Sequence, residues 1–361
     1  MIKKAIPVQE EVQAETTYIK DLEINGTLKN NLFQKGYERL TKIQDQTLEP
    51  LSQGRDLIGI ANTGTGKTAG FLIPIIQQMI EQRQRFQATI IVPTRELALQ
   101  VEEEFKSIAK GLPLYSASFI GGTNINMDYR KLKRFNHIII GTPGRILDLM
   151  NRGKLNFRHT EILVLDEFDR MLDMGFVNDV KKITAGIRKR RQTMLFSATI
   201  DPKQKNLIST FVQDPVRVSV NSGSKSADNI NQDIIKVPEG SNKMNLLKDM
   251  IQKDDFEKVL IFAETKRIVN KIGKSLISSG VLADVIHGNK SQNYRTKALN
   301  KFRLGKVQVL VATDVAARGL DVNDVSHVIN YQLPMTMDSY IHRIGRTGRA
   351  GKTGQAYTLI D

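Results

Sequence analysis

The chain contains no cysteine, which removes disulfides and thiolate chemistry and suits a reducing compartment, the cytoplasm before any other. Long apolar runs are also missing. Stretches such as Phe71-Leu72-Ile73-Pro74-Ile75-Ile76 fall far short of the ~20 residues that cross a bilayer. Met1-Ile2-Lys3-Lys4 leads into polar and acidic residues, not the apolar core of a secretory signal. Acids are outnumbered, with 53 Lys+Arg against 38 Asp+Glu and a net charge of +15. Such a surface attracts polyanions by counterion release. Nucleic acid is the first partner to consider and an anionic membrane second, although no basic amphipathic helix stands out for the latter; the blander account is solubility alone.

What is present is ordinary globular composition, 40% hydrophobic and 25% charged, over 361 residues. That length exceeds what one core usually fills, so two domains are expected. Short β-branched runs alternate with helix-period stretches, the pattern of parallel sheets covered by helices. In the first half the runs are 56–60, 89–92, 137–140, 162–165 and 193–196; in the second, 259–262, 284–287, 308–311, 327–330 and 355–360. Between them 221–230 reads as a linker, dividing a domain over 1–220 from one over 231–361. The residues end at Asp361 directly after a strand-like run, where a closing helix is expected.

Ala61-Asn62-Thr63-Gly64-Thr65-Gly66-Lys67-Thr68 follows the apolar run Leu57–Ile60 and precedes a helix-like stretch. A glycine-rich turn in this position points backbone N–H groups at phosphate oxygens, and the next helix adds its positive N-terminal end. Lys67 would reach the β/γ-phosphates and Thr68 a Mg²⁺ ion; Ala61 stands where the pattern usually has its first glycine. Asp166-Glu167 follow Ile162–Leu165. Beside a phosphate loop, an aspartate at a strand end can hold the metal and the adjacent glutamate can activate water; the alternative is two solvated acids at a helix start. The arginines of His342-Arg343-Ile344-Gly345-Arg346-Thr347-Gly348-Arg349, three apart, would share a face on a helix start and could meet a phosphate. Arginine fingers in cis or trans work this way, while a plain nucleic-acid patch is the competing account.

These blocks, in order and over almost the whole chain, resemble the DEAD-box RNA helicases of superfamily two, most closely bacterial RhlE-like members. The resemblance implies two tandem RecA-like domains of the α/β class, each a parallel sheet flanked by helices, and an RNA-stimulated ATPase using ATP and Mg²⁺. The adenine-recognition block, about 17–45, resembles Gly36-Tyr37-Glu38-Arg39-Leu40-Thr41-Lys42-Ile43-Gln44, with Gln44 on the base edge and Tyr37 as an aromatic contact. Asp166-Glu167-Phe168-Asp169 carries phenylalanine where the family has alanine, so a bulky ring must be accommodated.

Further roles are implied in the same way. Lys67, Asp166, Glu167, Arg346 and Arg349 would be catalytic. Asp169, Ser197, Thr199 and His342 would couple hydrolysis to strand separation, and Gly319 and Asp321 would meet the ribose. RNA contacts would come from Pro93, Thr94, Arg95, Gly121, Gly122, Thr142, Gly144 and Arg145, then Thr265, His287, Gly288, Arg295 and Thr313. Contacts of this kind grip the sugar–phosphate strand with little base preference. A monomer acting on RNA, without a membrane, is the expected state. Two other readings stay open: an ATP-driven DNA translocase, disfavoured by Gln44 and its neighbours, and an RNA clamp or chaperone with little hydrolysis, which Phe168 keeps in view.

Overall fold

The computed structural model describes residues 16–62, 64–82, 86–201, 204–220, 229–317, 325–348 and 353–361. The chain divides into two compact units at Asn221/Ser222. The first holds seven strands: β1 (Leu57–Ala61), β2 (Gln87–Ile91), β3 (Ser116–Phe119), β4 (Ile138–Gly141), β5 (Thr160–Leu165), β6 (Gln192–Ser197) and β7 (Val216–Val220). Their order is β3-β4-β2-β5-β6-β1-β7, and all pairings are parallel. The second holds β8 (Ile230–Lys236), β9 (Val259–Phe262), β10 (Ala283–Ile286), β11 (Val309–Ala312), β12 (His327–Asn330) and β13 (Gly354–Ile360). These run β10-β11-β9-β12-β13-β8, again parallel throughout.

Both faces of each sheet are covered, so consecutive strand residues enter different cores. Leu57, Ile90 and Val164 pack on one side of the first sheet, and Ile58, Ile91 and Leu163 on the other. In the second, Leu260, Leu310 and Val328 oppose Val259, Val309 and Ile329. This explains why the strands read as continuous apolar runs instead of alternating ones.

All ten expected runs are strands, shifted by a few residues at most. Three further strands, β3, β7 and β8, were not expected, and each lies at a sheet edge. Edge strands need less apolar surface: β8 reads Ile-Asn-Gln-Asp-Ile-Ile-Lys, mostly half-buried or exposed. Ile230, placed in the linker by the sequence, is therefore the first residue of β8, fully buried and paired with Gly354. No helix among the described residues is long and apolar enough to cross a membrane.

Candidate nucleotide and RNA site

Parallel strands bring every loop that leaves a strand's carboxyl end to one edge of its sheet, where helix N-termini also gather. In the first unit β1 ends at Ala61 and the helix Lys67–Glu81 starts six residues later. The intervening turn depends on Gly64 (φ 87°) and Gly66 (φ 92°), both in the left-handed region. At Gly66 a Cβ would also lie 2.5 Å from Gln44 Nε2. Asn62, Thr65 and Thr68 are half-buried and Gly64 exposed; Thr65 Oγ1 donates to the Asn62 carbonyl at 2.8 Å. Thr63 lies outside the described residues. Lys67 is buried, and its Nζ donates to the Ala61 carbonyl at 2.6 Å, so the ammonium is folded back across the loop that a phosphate would enter.

Gln44 is 1% exposed. Its Oε1 accepts from Thr41 N at 2.9 Å in a capping box, and its Nε2 donates to the Gly66 carbonyl at 3.0 Å. The amide therefore ties the start of the helix Lys42–Ser52 to the phosphate loop, a bond the sequence reading did not foresee. Tyr37 is half-buried, with its hydroxyl donating to Glu104 Oε1 at 3.2 Å.

Asp166 follows β5 and is 2% exposed. Burial pushes its carboxyl up to about 6; the Lys67 ammonium works against that shift and the Glu167 carboxylate adds to it. Glu167 sits in the left-handed region (φ 53°, ψ 50°) at the head of the helix Phe168–Asp173, an unusual place for a non-glycine residue. Its Oε2 accepts from Arg170 Nη1 at 2.5 Å, both side chains being buried. Arg170 is a residue the sequence reading missed, although a spacing of three along a helix is a readable signal. Asp169 Oδ2 accepts from Ala198 N at 3.2 Å and Thr199 N at 3.3 Å. Ser197 Oγ donates to the Thr199 carbonyl at 2.6 Å and accepts from Asp169 N at 3.3 Å. The expected coupling residues of the first unit thus form one network across β5 and β6. Phe168 is 1% exposed and meets Phe211 edge to face at 5.4 Å, so the bulky ring points into the core and leaves the three acids in place.

No three His, Cys, Asp or Glu side chains among the described residues form a protein-only metal cage. A buried carboxylate next to a phosphate loop instead fits Mg²⁺ in its usual mode, held by one or two protein groups, water and phosphate.

The loops after β2, β3 and β4 converge on the same edge. The Arg95 guanidinium lies over Gly121 and Gly122, and Gly122 sits in the left-handed region (φ 78°) that favours glycine. Pro93 and Thr94 are buried, and Thr94 Oγ1 caps its helix by accepting from Leu97 N at 3.3 Å. Thr142 is the N-cap of the helix Pro143–Asn151, on which Gly144 is exposed. Arg145 bonds Asp128 Oδ2 at 2.5 Å and the Thr123 carbonyl at 2.8 Å. Its guanidinium therefore braces the loop beside Gly122, and Asp128 is the anchor that sequence alone did not show.

In the second unit Thr265, His287-Gly288 and Thr313 follow β9, β10 and β11, which are adjacent strands. Thr265 Oγ1 accepts from Ile268 N at 3.2 Å. His287 Nδ1 accepts from Asn289 N at 3.3 Å while Nε2 faces Asn270 Oδ1 at 3.0 Å, so Nε2 carries the proton. Burial, with Lys290, Lys266 and Arg295 nearby, lowers its pKa and keeps the ring neutral. Arg295 is buried, its Nη2 3.5 Å from the Ala316 carbonyl.

The arginine cluster is arranged differently from the expectation. The helix Met337–Ile344 ends before Arg346, so Arg343 lies at a helix end and Arg346 in the turn after it, not at a helix start, and these two do not share one helical face. His342 is half-buried in the last turn, and Arg346 is 4% exposed. Arg343 is a structural keystone: it binds Asp314 through two bonds (2.6 and 2.7 Å), Asn330 Oδ1 at 3.1 Å and the Gln332 carbonyl at 2.9 Å. Gly319, Asp321 and Arg349 lie outside the described residues.

Comparison with known proteins identifies the family. The pattern of the DEAD/DEAH box helicase family matches residues 41–207, and that of the helicase conserved C-terminal domain matches 242–351. The DEAD-box ATP-dependent RNA helicase CshA of Geobacillus kaustophilus is 41% identical over 95% of this chain and 73% of its own length. The chain belongs to the DEAD-box ATP-dependent RNA helicases. The CshA of Bacillus licheniformis is 42% identical over 96% of this chain and 71% of its own length, and that of Listeria monocytogenes 41% over 95% and 66%. These relatives carry a different subtype name from the RhlE-like one expected. Among solved structures, Mss116p bound to single-stranded RNA and AMP-PNP superposes with a TM-score of 0.86 at 31% identity, covering 99% of this chain and 77% of that one. S. cerevisiae Dbp5 bound to RNA and ADP BeF3 gives 0.85 at 29%, covering 95% and 89%. Each of the two units is thus a RecA-like domain of this helicase family.

Proposed function

We propose that this DEAD-box helicase binds ATP·Mg²⁺ on the carboxyl edge of its first sheet, and that RNA binding and domain closure favour each other. Hydrolysis then releases the grip, after a few base pairs of a short duplex or an RNA–protein contact have been pulled apart. The protein acts as a monomer in the cytoplasm, with little sequence preference.

In this mechanism Gly64, Gly66 and the start of the helix Lys67–Glu81 present N–H donors to phosphate, and Lys67 exchanges the Ala61 carbonyl for phosphate oxygens. Thr68 and Asp166 would hold Mg²⁺, and the ion would supply positive charge against the phosphates. Glu167, steadied by Arg170, orients the attacking water and takes its proton. Arg346 and Arg349 stabilise charge on the transferring phosphoryl group. Thr94 and Thr265 use their oxygen lone pairs for capping, which leaves each O–H to donate to an RNA phosphate. Gly319 and Asp321 meet the ribose.

The observation that carries this reading is the network from Asp169 to Ser197, Ala198 and Thr199, because it ties the acid-bearing strand end to the next loop with backbone donors. Phosphate release with and without RNA, measured across salt concentrations, tests it: RNA should stimulate hydrolysis, and added salt should erase the stimulation. An ATPase indifferent to RNA, or equally stimulated by DNA in a strand-loading comparison, would defeat the proposal.

A further inference from the structure

Because the first sheet is parallel throughout, the loops that enter β3, β4, β5 and β6 lie at its amino edge, opposite Lys67 and Glu167. Segments 110–115, 133–137, 156–159 and 188–191 contain no Asp or Glu. They do carry Lys133, Arg134, Arg158, Arg188, Lys189 and Arg191, all exposed. Glu161, at the start of β5, is committed to Arg191.

Rings run between these cations in an unbroken series. Tyr115 and His137 have centroids 5.9 Å apart. His137 meets Phe135 edge-on at 5.0 Å, and Phe135 meets His159 edge-on at 5.8 Å. The series therefore passes from the loop before β3, across that before β4, to that before β5. Tyr115 is 49% exposed, and the Arg134 guanidinium stands 5.3 Å from its centroid. His137 Nδ1 accepts from Tyr115 N at 3.1 Å, which fixes the ring.

Cations for phosphate and rings for bases are the composition of a single-strand binding track. A protein interface would deplete lysine at its centre, and a membrane surface would call for an apolar helix face; neither is found in these loops. From β3 to β6 there are four interstrand spacings, about 19 Å, room for several nucleotides.

We propose that the amino edge of the first sheet is a second RNA-binding surface, taking a single strand that crosses the loops before β3 to β6. It rests on the reading above only in the choice of RNA as the polyanion. The surface would hold substrate through the ATP cycle, when the carboxyl-edge grip lets go.

The test uses the full chain and two RNAs, of about 10 and about 40 nucleotides, with affinity measured by fluorescence anisotropy across salt. The triple variant R134E/R188E/K189E should bind the long RNA at least about tenfold more weakly, with a salt slope shallower by about 2. Its affinity for the short RNA, and the ATPase that RNA stimulates, should not change. Tyr115→Ala should weaken the long RNA about fivefold with the slope intact. Unchanged long-RNA affinity in both variants, or equal losses on both lengths, would overturn the proposal. So would a loss confined to phosphatidylserine vesicles. If the wild-type chain hydrolyses no ATP with the short RNA, the function proposed above fails instead, and the long-RNA comparison can still be read.

Discussion

The carboxyl edges of the two sheets settle their buried charge in opposite ways. In the first unit Asp166 carries a carboxyl pushed up to about 6 by burial, Lys67 satisfies itself on a main-chain carbonyl, and Arg170 Nη2 is buried without a hydrogen-bond partner among the described residues. In the second unit Arg343 is just as buried, yet it has a bidentate carboxylate and two further oxygens, and both His287 nitrogens are occupied. At the first edge buried charge is left for a ligand to complete; at the second, Arg343 and His287 are already held by protein groups. Buried groups of the first kind are where chemistry concentrates, and a fully satisfied network is where rigidity does.

The comparison can be broken most sharply by moving a single guanidinium. Arg346→Ala should lower turnover by ~10³-fold while RNA affinity changes little, read by steady-state phosphate release beside anisotropy; equal losses in both would make it an RNA contact and not a finger. Next, Glu167→Gln should lower hydrolysis by about 10³-fold with nucleotide affinity retained, and Lys67→Ala should abolish both binding and turnover.

Stability separates the units in a different way. Arg343→Ala should destabilise the second unit by about 3 kcal/mol, since it leaves Asp314 without its partner. Phe168→Ala should cost the first unit about 3 kcal/mol through a cavity beside Phe211, yet leave RNA-stimulated hydrolysis intact. Urea unfolding followed by probes in each unit would register both; loss of activity without loss of stability in Phe168→Ala would contradict the packing role.

The smallest effect is the pH dependence of metal–nucleotide binding. The folded Asp166 carboxyl titrates near 6, above an unfolded aspartate, so the native chain takes up a proton as pH falls through 6 and stability does not drop there. The protonated acid cannot hold a cation, and Mg²⁺-dependent nucleotide affinity should fall about tenfold per pH unit below about 6. Asp166→Asn should flatten the profile; a wild-type profile that is already flat would place the metal elsewhere.

Much of this was legible in the sequence because it is local. The phosphate loop, the strand-end acids and the Ser-Ala-Thr turn each sit where a buried apolar run stops, and burial on both faces makes such runs conspicuous. The edge strands escaped for two reasons: Ser116-Ala117-Ser118-Phe119 is buried but built from small and polar residues with no β-branched run, and Ile230–Lys236 is mostly half-buried or exposed. The partners of the site residues escaped for another reason. Asp128 to Arg145, Asn270 to His287 and Asp314 to Arg343 are separated by 17 to 29 positions, and nothing in a linear pattern says which acid or amide folds back on which base. The arginine spacing suggested a shared helical face, but the helix Met337–Ile344 stops short of Arg346.

Gln44 links Thr41 N to the Gly66 carbonyl, at a glycine held in the left-handed region, and under the function proposed above the same amide would read the edge of the base. A purine offering the wrong edge would therefore do more than bind loosely: by pulling on that amide it would misset the loop that aligns the phosphates. Discrimination against guanosine triphosphate should accordingly appear in the speed of the chemical step, beyond whatever appears in occupancy.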